Sequence, residues 1–476
     1  MSKLGWFTIR SLVFLFSGVA AVASHAQTLT TLVTFGGSPT APYSALVQGT
    51  DGNFYGTTVY GGSSSCSMGC GMVFKVTPSG TLTTLHTFCA QRTCADGSNP
   101  YAGLVLGTDG NFYGTTALGG AHNSGTVFRI TSEGKLTTLY SFCAQANCAD
   151  SESSSAALIE ASDGDFYGTT YGGAHGVGAV FKITPQGKLT TLYSFCAQTS
   201  CADGSDPIGG LFRGTDGALY GTTYGGGAYG YGTVFKLSAA GIFTTLHSFD
   251  FTDGQNPTAS LIQASNGKFY GSTFSGGRAL NNCGNGCGSL FAITSTGKFA
   301  TLDNFDWSNG FEPYSAMIQA TDGNLYGTTV DGLSVGTIFN TTLRGSSLTT
   351  LSAFNGGLDG IYPFAGLLQA TNGTFYGTTA GNGGTSSTVY SLDMGLGPFA
   401  TFVLASGKVG QTAEILSQGL TGSSSVTFNG VPASSFTVVS DTYMTAVVPS
   451  GATIGKVVVT TPTEILTSNV NFRITK

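Results

Sequence analysis

Charge is scarce in this chain. Its 476 residues hold 18 Lys and Arg and 24 Asp and Glu, a net charge of −6. No basic run occurs, which argues against nucleic acid or anionic lipid as the main partner. Long apolar stretches are missing beyond residues 12–23, so no membrane span is expected once that segment is removed. No G-x-S-x-G, H-E-x-x-H or phosphate-cradling glycine loop appears, and nothing in the sequence demands catalysis. The five histidines do not cluster, and no cysteine is left over from a pairing by proximity.

Several features are abundant. Glycine reaches 73 residues, Tyr 20 and Phe 33. That profile fits many short strands joined by glycine turns and does not fit disorder. Lys3 and Arg10 precede the apolar run, and Ser24-His25-Ala26 follows it. This predicts a secretory leader over residues 1–26, cleaved before Gln27. Ten cysteines form five close pairs: Cys66/Cys70, Cys89/Cys94, Cys143/Cys148, Cys196/Cys201 and Cys283/Cys287. In an oxidising compartment these become local disulfides. Bridges over such short loops are expected to stiffen their own loops more than to hold the fold. Zinc is the alternative use, but three C-A-Q-x-x-C loops on separate repeats cannot share one ion.

The motif [DN]-G-x-[FL]-Y-G-[TS]-T recurs every 50 to 58 residues, at Tyr55, Tyr113, Tyr167, Tyr220, Tyr270, Tyr326 and Tyr376. Each unit reads as four short antiparallel strands, A to D, the size of one propeller blade. In the second unit they are residues 103–107 (A), 111–117 (B), 126–131 (C) and 135–142 (D). A D-type strand, residues 29–35, precedes the first A strand, while the last unit stops after C. The expected fold is therefore all-β: a seven-bladed β-propeller whose last blade is completed by the N-terminal strand, leaving no open edge. Repeated Tyr and Phe are expected to pack blade on blade, and the repeated Asp-Gly and Asn-Gly pairs to make turns.

The pattern stops after Leu392, and Pro398 marks a junction. The domains expected are a leader over 1–26, a propeller over 27–396 and a β-sandwich over 397–476. The last segment resembles the IPT/TIG immunoglobulin-like domains through Ser406-Gly407-Lys408-Val409-Gly410, Phe428-Asn429-Gly430-Val431, Val448-Pro449 and Ser468-Asn469. That resemblance implies a spacer or interaction module outside the cytoplasm, without chemistry. The repeats are similar to the GloVer tandem repeat of bacterial extracellular, choice-of-anchor type proteins, through D-G-x-F-Y-G-T-T, G-T-V-F-K and L-T-T-L-x-S-F. That similarity implies fold and location, and no established activity. Many such proteins carry a C-terminal surface anchor. The sequence ends at Lys476 without one, which leaves free secretion, surface attachment and a periplasmic place open.

Alternation of strand direction puts the A–B and C–D turns on one face and the B–C and D–A loops on the other. All ten cysteines and most length variation fall on the second face, where binding residues are expected. Candidate ligand-binding residues there are Tyr60, His122, Tyr171, His175, Tyr224, Tyr229 and Tyr231. The D–A loops repeat D-G-x-x-P at Asp96, Asp203, Asp253 and Asp359. Turn formation explains this first and Ca²⁺ second; no other cofactor is implied. At the end of strand A stand Gln48, Leu106, Glu160, Arg213, Gln263, Gln319 and Gln369. They read as a hydrated lining near the axis, with Glu160 and Arg213 paired. The function expected is non-catalytic binding of an extracellular polysaccharide or protein. A carbohydrate-active lyase or hydrolase and a structural envelope component are the alternatives. The C-terminal domain is expected on the A–B turn face.

Overall fold

The computed structural model describes residues 27–475, apart from 37–39, 91–92, 279–282, 346–347 and 382–386. The expected leader lies outside the described residues. The described residues are all-β apart from two short 3-10 turns. The repeat region forms seven four-stranded antiparallel sheets of one pattern. The first consists of Val47–Gln48, Phe54–Thr58, Met72–Val76 and Leu82–Thr87. Strand A is reduced to two residues in every sheet, shorter than the apolar run suggests. The seventh sheet joins Leu368–Gln369, Phe375–Thr379 and Thr388–Asp393 to Thr28–Thr34 from the start of the chain. Thr28 pairs with Asp393 and Thr34 with Thr388. The two ends of the repeat region thus share one sheet.

Side chains of the repeated motif join each sheet to the next. Tyr55 stacks on Phe112 at 4.0 Å, Tyr113 on Phe166 at 3.9 Å and Tyr220 on Phe269 at 3.9 Å. Tyr376 of the last sheet meets Phe54 of the first at 4.1 Å, so the series returns on itself as a propeller-like ring. The phenol of each such Tyr turns back to its own A–B turn: Tyr55 donates to Asp51, Tyr113 to Asp109 and Tyr220 to Asp216. The repeated aromatics and Asp-Gly pairs are thus packing and turn devices. The glycine after the Tyr has a steric reason: a Cβ on Gly56 would lie 2.6 Å from the Phe74 ring across the ladder. Each outer strand also carries a bulge against its neighbour, as between Val73 and Phe74. Bulges of this kind spoil the exposed edge for pairing with other chains.

The strand A ends correct one expectation. Gln48, Gln319 and Gln369 reach the A–B turn of the preceding sheet, accepting the amides of Thr371, Ser265 and Thr321. Glu160 does the same with a carboxylate, taking Thr108 N at 2.9 Å and Thr108 Oγ1 at 2.7 Å. Among the described residues no ion pair joins Glu160 to Arg213. Gln48, Glu160, Gln319 and Gln369 are thus latches between sheets, because the preceding turn offers a free N–H and a hydroxyl within reach.

The C-terminal segment builds two further four-stranded sheets. One contains Thr401–Phe402, Thr412–Leu416, Tyr443–Val447 and Phe436–Val438; the other Val431–Pro432, Ser425–Phe428, Val457–Thr460 and Ile465–Thr467. Ile415, Phe428, Met444, Val459 and Phe472 fill the space between them. This unit lies on the A–B turns, the face expected from the exit of the last strand. Thr442 Oγ1 donates to Thr50 O at 2.8 Å, Phe399 N to Thr371 O at 3.0 Å, and Arg473 Nη1 to Gly214 O and Thr215 O. Those contacts reach the first, seventh and fourth sheets. The unit therefore covers the axis at this end, where Leu416 and Leu106 line one cavity.

Candidate binding site at the axial mouth

The opposite face is held by its loops. D–A and B–C loops bridge each other at Ser98–Leu118, Ser205–Gly225 and Phe311–Asp331. The five expected cysteine pairs are disulfides within these loops. Cys66–Cys70 and Cys283–Cys287 close B–C loops. Cys89–Cys94, Cys143–Cys148 and Cys196–Cys201 close D–A loops. In two cysteine groups with metal-ligand proximity every sulfur is in a disulfide: Cys66 with Cys70, the adjacent Cys89 with Cys94, and Cys143 with Cys148.

Beyond stiffening their own loops, the bridges at Cys94 and Cys201 sit where one loop meets the next. Both have a left-handed backbone, with φ of 44° at Cys94 and 51° at Cys201. Cys201 also ends a short 3-10 turn, Thr199–Cys201, where a plain loop is expected from the sequence. The carbonyl of each accepts two amides. Cys94 O takes Gly97 N at 2.9 Å and Gly120 N at 2.8 Å; Cys201 O takes Gly204 N and Gly227 N, both at 2.9 Å. The first donor of each pair belongs to the same D–A loop and the second to the facing B–C loop. These two cysteines therefore anchor one loop to the other, because the disulfide fixes the turn that aims their carbonyls. Neither lines the axial mouth described below.

The Asp of the D-G-x-x-P loops is engaged locally. Asp96 takes His86 Nε2 at 2.9 Å, Asp203 the Tyr193 phenol at 2.7 Å, and Asp253 His247 Nε2 at 2.7 Å. Backbone amides of the same loops complete these turns, as Ala197 and Gln198 do on Asp203 and Asn355 on Asp359.

The residue before each loop proline adopts a left-handed backbone: φ is 55° at Asn99, 58° at Asp206, 58° at Glu312 and 56° at Tyr362. Such a conformation costs on the order of 1 kcal/mol for a non-glycine residue. It is held by the preceding sheet, whose Cys70, Val177, Cys287 and Val335 carbonyls accept these four amides. The chain then turns through proline toward the axis. The residue after the proline lands on the rim of the axial opening.

Around the ring, first sheet to seventh, the rim positions are Tyr43, Tyr101, Ser155, Ile208, Thr258, Tyr314 and Phe364. The four aromatics are contiguous once the ring closes. Tyr314 meets Phe364 edge-on at 5.3 Å, Phe364 meets Tyr43 edge-on at 4.7 Å, and Tyr43 stacks on Tyr101 at 5.9 Å. Ser155, Ile208 and Thr258 face this arc across a cavity of about 490 Å³. Burial raises the phenol pKa values of Tyr43 and Tyr314 and pushes that of Tyr101 up to about 12. The three phenols are therefore neutral donors and acceptors at physiological pH. The rim offers an aromatic wall facing a small-residue wall that carries the Ser155 hydroxyl; Thr258 Oγ1 donates to Tyr314 O at 2.9 Å.

The candidates named from sequence are spread over this face. Tyr60 lies near Tyr101 and so adjoins the mouth. Tyr224 neighbours Tyr314 but lines a separate groove with Trp307 and Phe311. Tyr231 packs beside Phe251. His175 Nδ1 is tied to the Phe195 carbonyl at 2.9 Å. Tyr171, Tyr229 and His122 stand exposed in the outer loops. Tyr43, Tyr101, Tyr314 and Phe364 were missed by sequence reasoning. The signal available was the position directly after the loop proline, Pro-Tyr in three copies and Pro-Phe in a fourth.

The architecture and the comparisons agree on a class: a tandem-repeat all-β protein of propeller-like build. The chain belongs to the Gloeobacter/Verrucomicrobia repeat family, whose model matches residues 17–211 and 197–390. No curated protein matches it. Among solved structures it is similar to a fungal alcohol oxidase of the AA5 family in complex with copper, with TM-score 0.52 and 12% identity, covering 94% of this chain and 99% of that one. A GH74 xyloglucanase from Xanthomonas campestris aligns with TM-score 0.45 and 12% identity, over 74% of this chain and 52% of that one. At these identities the likeness concerns fold alone. Among the described residues no helix is long and apolar enough to cross a membrane. The five disulfides are compatible with an extracellular place.

Proposed function

We propose that this is a secreted or cell-surface binding protein that holds a carbohydrate at the axial mouth of the loop face. The arc Tyr314–Phe364–Tyr43–Tyr101 carries the reading. Sugar rings present apolar C–H faces and polar edges. A wall of aromatic rings with three phenol groups, facing the Ser155 hydroxyl, matches both. The scaffold is read as a closed seven-bladed propeller over residues 27–396, with an IPT/TIG-like immunoglobulin sandwich over 397–476 and a leader over 1–26. Strand Thr28–Thr34 in the last sheet supports the closed ring, and the two facing sheets of the last segment support the sandwich. The ligand is bound without turnover. A glycan array with the mature protein, followed by calorimetry and an assay for new reducing or unsaturated ends, tests this. Binding without new ends is expected; new ends would make the protein an enzyme.

A further inference from the structure

The mouth does not end at the rim. A second cavity of about 290 Å³ lies beneath it, against the C-terminal unit. The two meet at Val47, Ile318 and Leu367, which line both. The lower chamber is walled by Val105, Leu106 and Leu368 from the ring and sealed by Phe402, Val403 and Leu416. Its ring residues come from the first, second, sixth and seventh sheets, the four sheets that carry the aromatic arc. An apolar track therefore runs from the rim down one side of the axis.

Three glutamines also line the chamber, but their amides are spent. Gln48 is held by Thr371 through both Oε1 and Nε2, Gln319 by Ser265, and Gln369 by Thr321. What the chamber offers a guest is mainly aliphatic and aromatic surface. Asn469 also lines the chamber, and its buried Oδ1 has no hydrogen-bond partner, so the chamber offers a guest one acceptor atom beside its apolar walls. A purely polar glycan would leave those walls unused. An apolar group of a few methylenes, or one aromatic ring, would gain from it.

We propose that the ligand is an amphiphilic glycoside: a sugar head at the aromatic rim and an apolar aglycone or acyl chain in the lower chamber. This rests on the carbohydrate reading of the mouth. The full mature chain is titrated with the neutral apolar dye N-phenyl-1-naphthylamine. It is then titrated calorimetrically with methyl-, hexyl- and octyl-β-glucoside below micelle formation. The dye is expected to bind saturably, one per chain. Affinity along the glucoside series is expected to rise about fourfold per methylene until the chamber is full. Ile318→Trp and, separately, Val47→Trp narrow the passage between the cavities. Both should abolish dye uptake and flatten the chain-length dependence, with unchanged circular dichroism. Absence of dye uptake, or uptake unaffected by both variants, overturns the proposal whatever the array reports. Dye uptake without binding of any glycoside overturns the sugar head, and with it the carbohydrate reading, while the chamber remains.

Discussion

Tyr43 stacks on Tyr101 of the next sheet with ring planes 19° apart, and takes the edge of Phe364 at 4.7 Å on the side of the preceding sheet. Tyr43 and Phe364 stand near opposite ends of the repeat region. Their contact exists because Thr28–Thr34 completes the last sheet and closes the ring. The candidate site is thus a product of closure rather than of any one repeat.

If closure is as firm as the other joints, the seam should be as hard to break as they are. Tyr376→Ala removes the ring that packs on Phe54, and Tyr113→Ala removes its counterpart on Phe166. Each should cost about 3–5 kcal/mol in urea denaturation, the range for deleting a buried aromatic. A seam variant costing under about 1 kcal/mol would mean that the ends are only loosely joined.

The joint with the C-terminal unit should respond to pH. Glu414 is pushed up to about 7, first by burial and then by the nearby charge of Glu160. Glu160 is itself raised by burial and by Asp109, against the lowering effect of its Thr108 bonds. Both are acids whose folded-state pKa exceeds the unfolded one. The stability tied to their neutral forms is fully present below the ordinary glutamate range. It is lost as pH rises from about 4.5 through about 7. Thermal melts should show the fall across that window, and Glu414→Gln should flatten it. An unchanged slope in the variant would show that another group titrates.

Much of the fold was legible because it repeats. Seven Tyr motifs and a D strand displaced to the N-terminus announce both the sheets and their shared last member. Local chemistry was legible too: the cysteine pairs are close in sequence and the Asp-Gly turns are their own signal. Three features were not. Glu160 and Arg213 read as a pair because opposite charges on adjacent repeats suggest one. The Glu160 side chain instead reaches back to Thr108, and only the register of the strand A end shows this. Cys94 and Cys201 read as members of local bridges, whereas their carbonyls also hold the neighbouring loop, a backbone role that side-chain spacing does not report. The rim aromatics were hidden because only four of seven copies carry them. Those copies lie at both ends of the repeat region and become one arc when the ring closes.

The latches on the turn face yield a narrower prediction. Gln369 joins the seventh sheet to the sixth through Thr321 N and Oγ1. Thr321 is exposed, so Gln369→Leu leaves its N–H and hydroxyl to water and should cost about 0.5–1.5 kcal/mol, the net worth of a hydrogen bond. Denaturant midpoints of the variant and the parent check this, and equal midpoints would mean that water replaces the latch freely.

Exposed loop aromatics should matter less than the rim. Tyr171 and Tyr229 stand free in outer loops, with 54% and 63% exposure. Replacing both by Ala should leave ligand affinity within about twofold, as is usual for surface changes away from a site. A larger loss would move the site outward from the axis.

The central claim is that the aromatic arc at the axial mouth holds a carbohydrate. The most direct measurement is calorimetric titration of an array-selected oligosaccharide into the parent protein and into Tyr43→Ala/Tyr101→Ala. The account predicts binding by the parent without new chain ends, and at least about thirtyfold weaker binding by the double variant, the loss expected when hot-spot rings are removed. Equal affinity in both proteins, or sugar chain ends released by the parent, would contradict it.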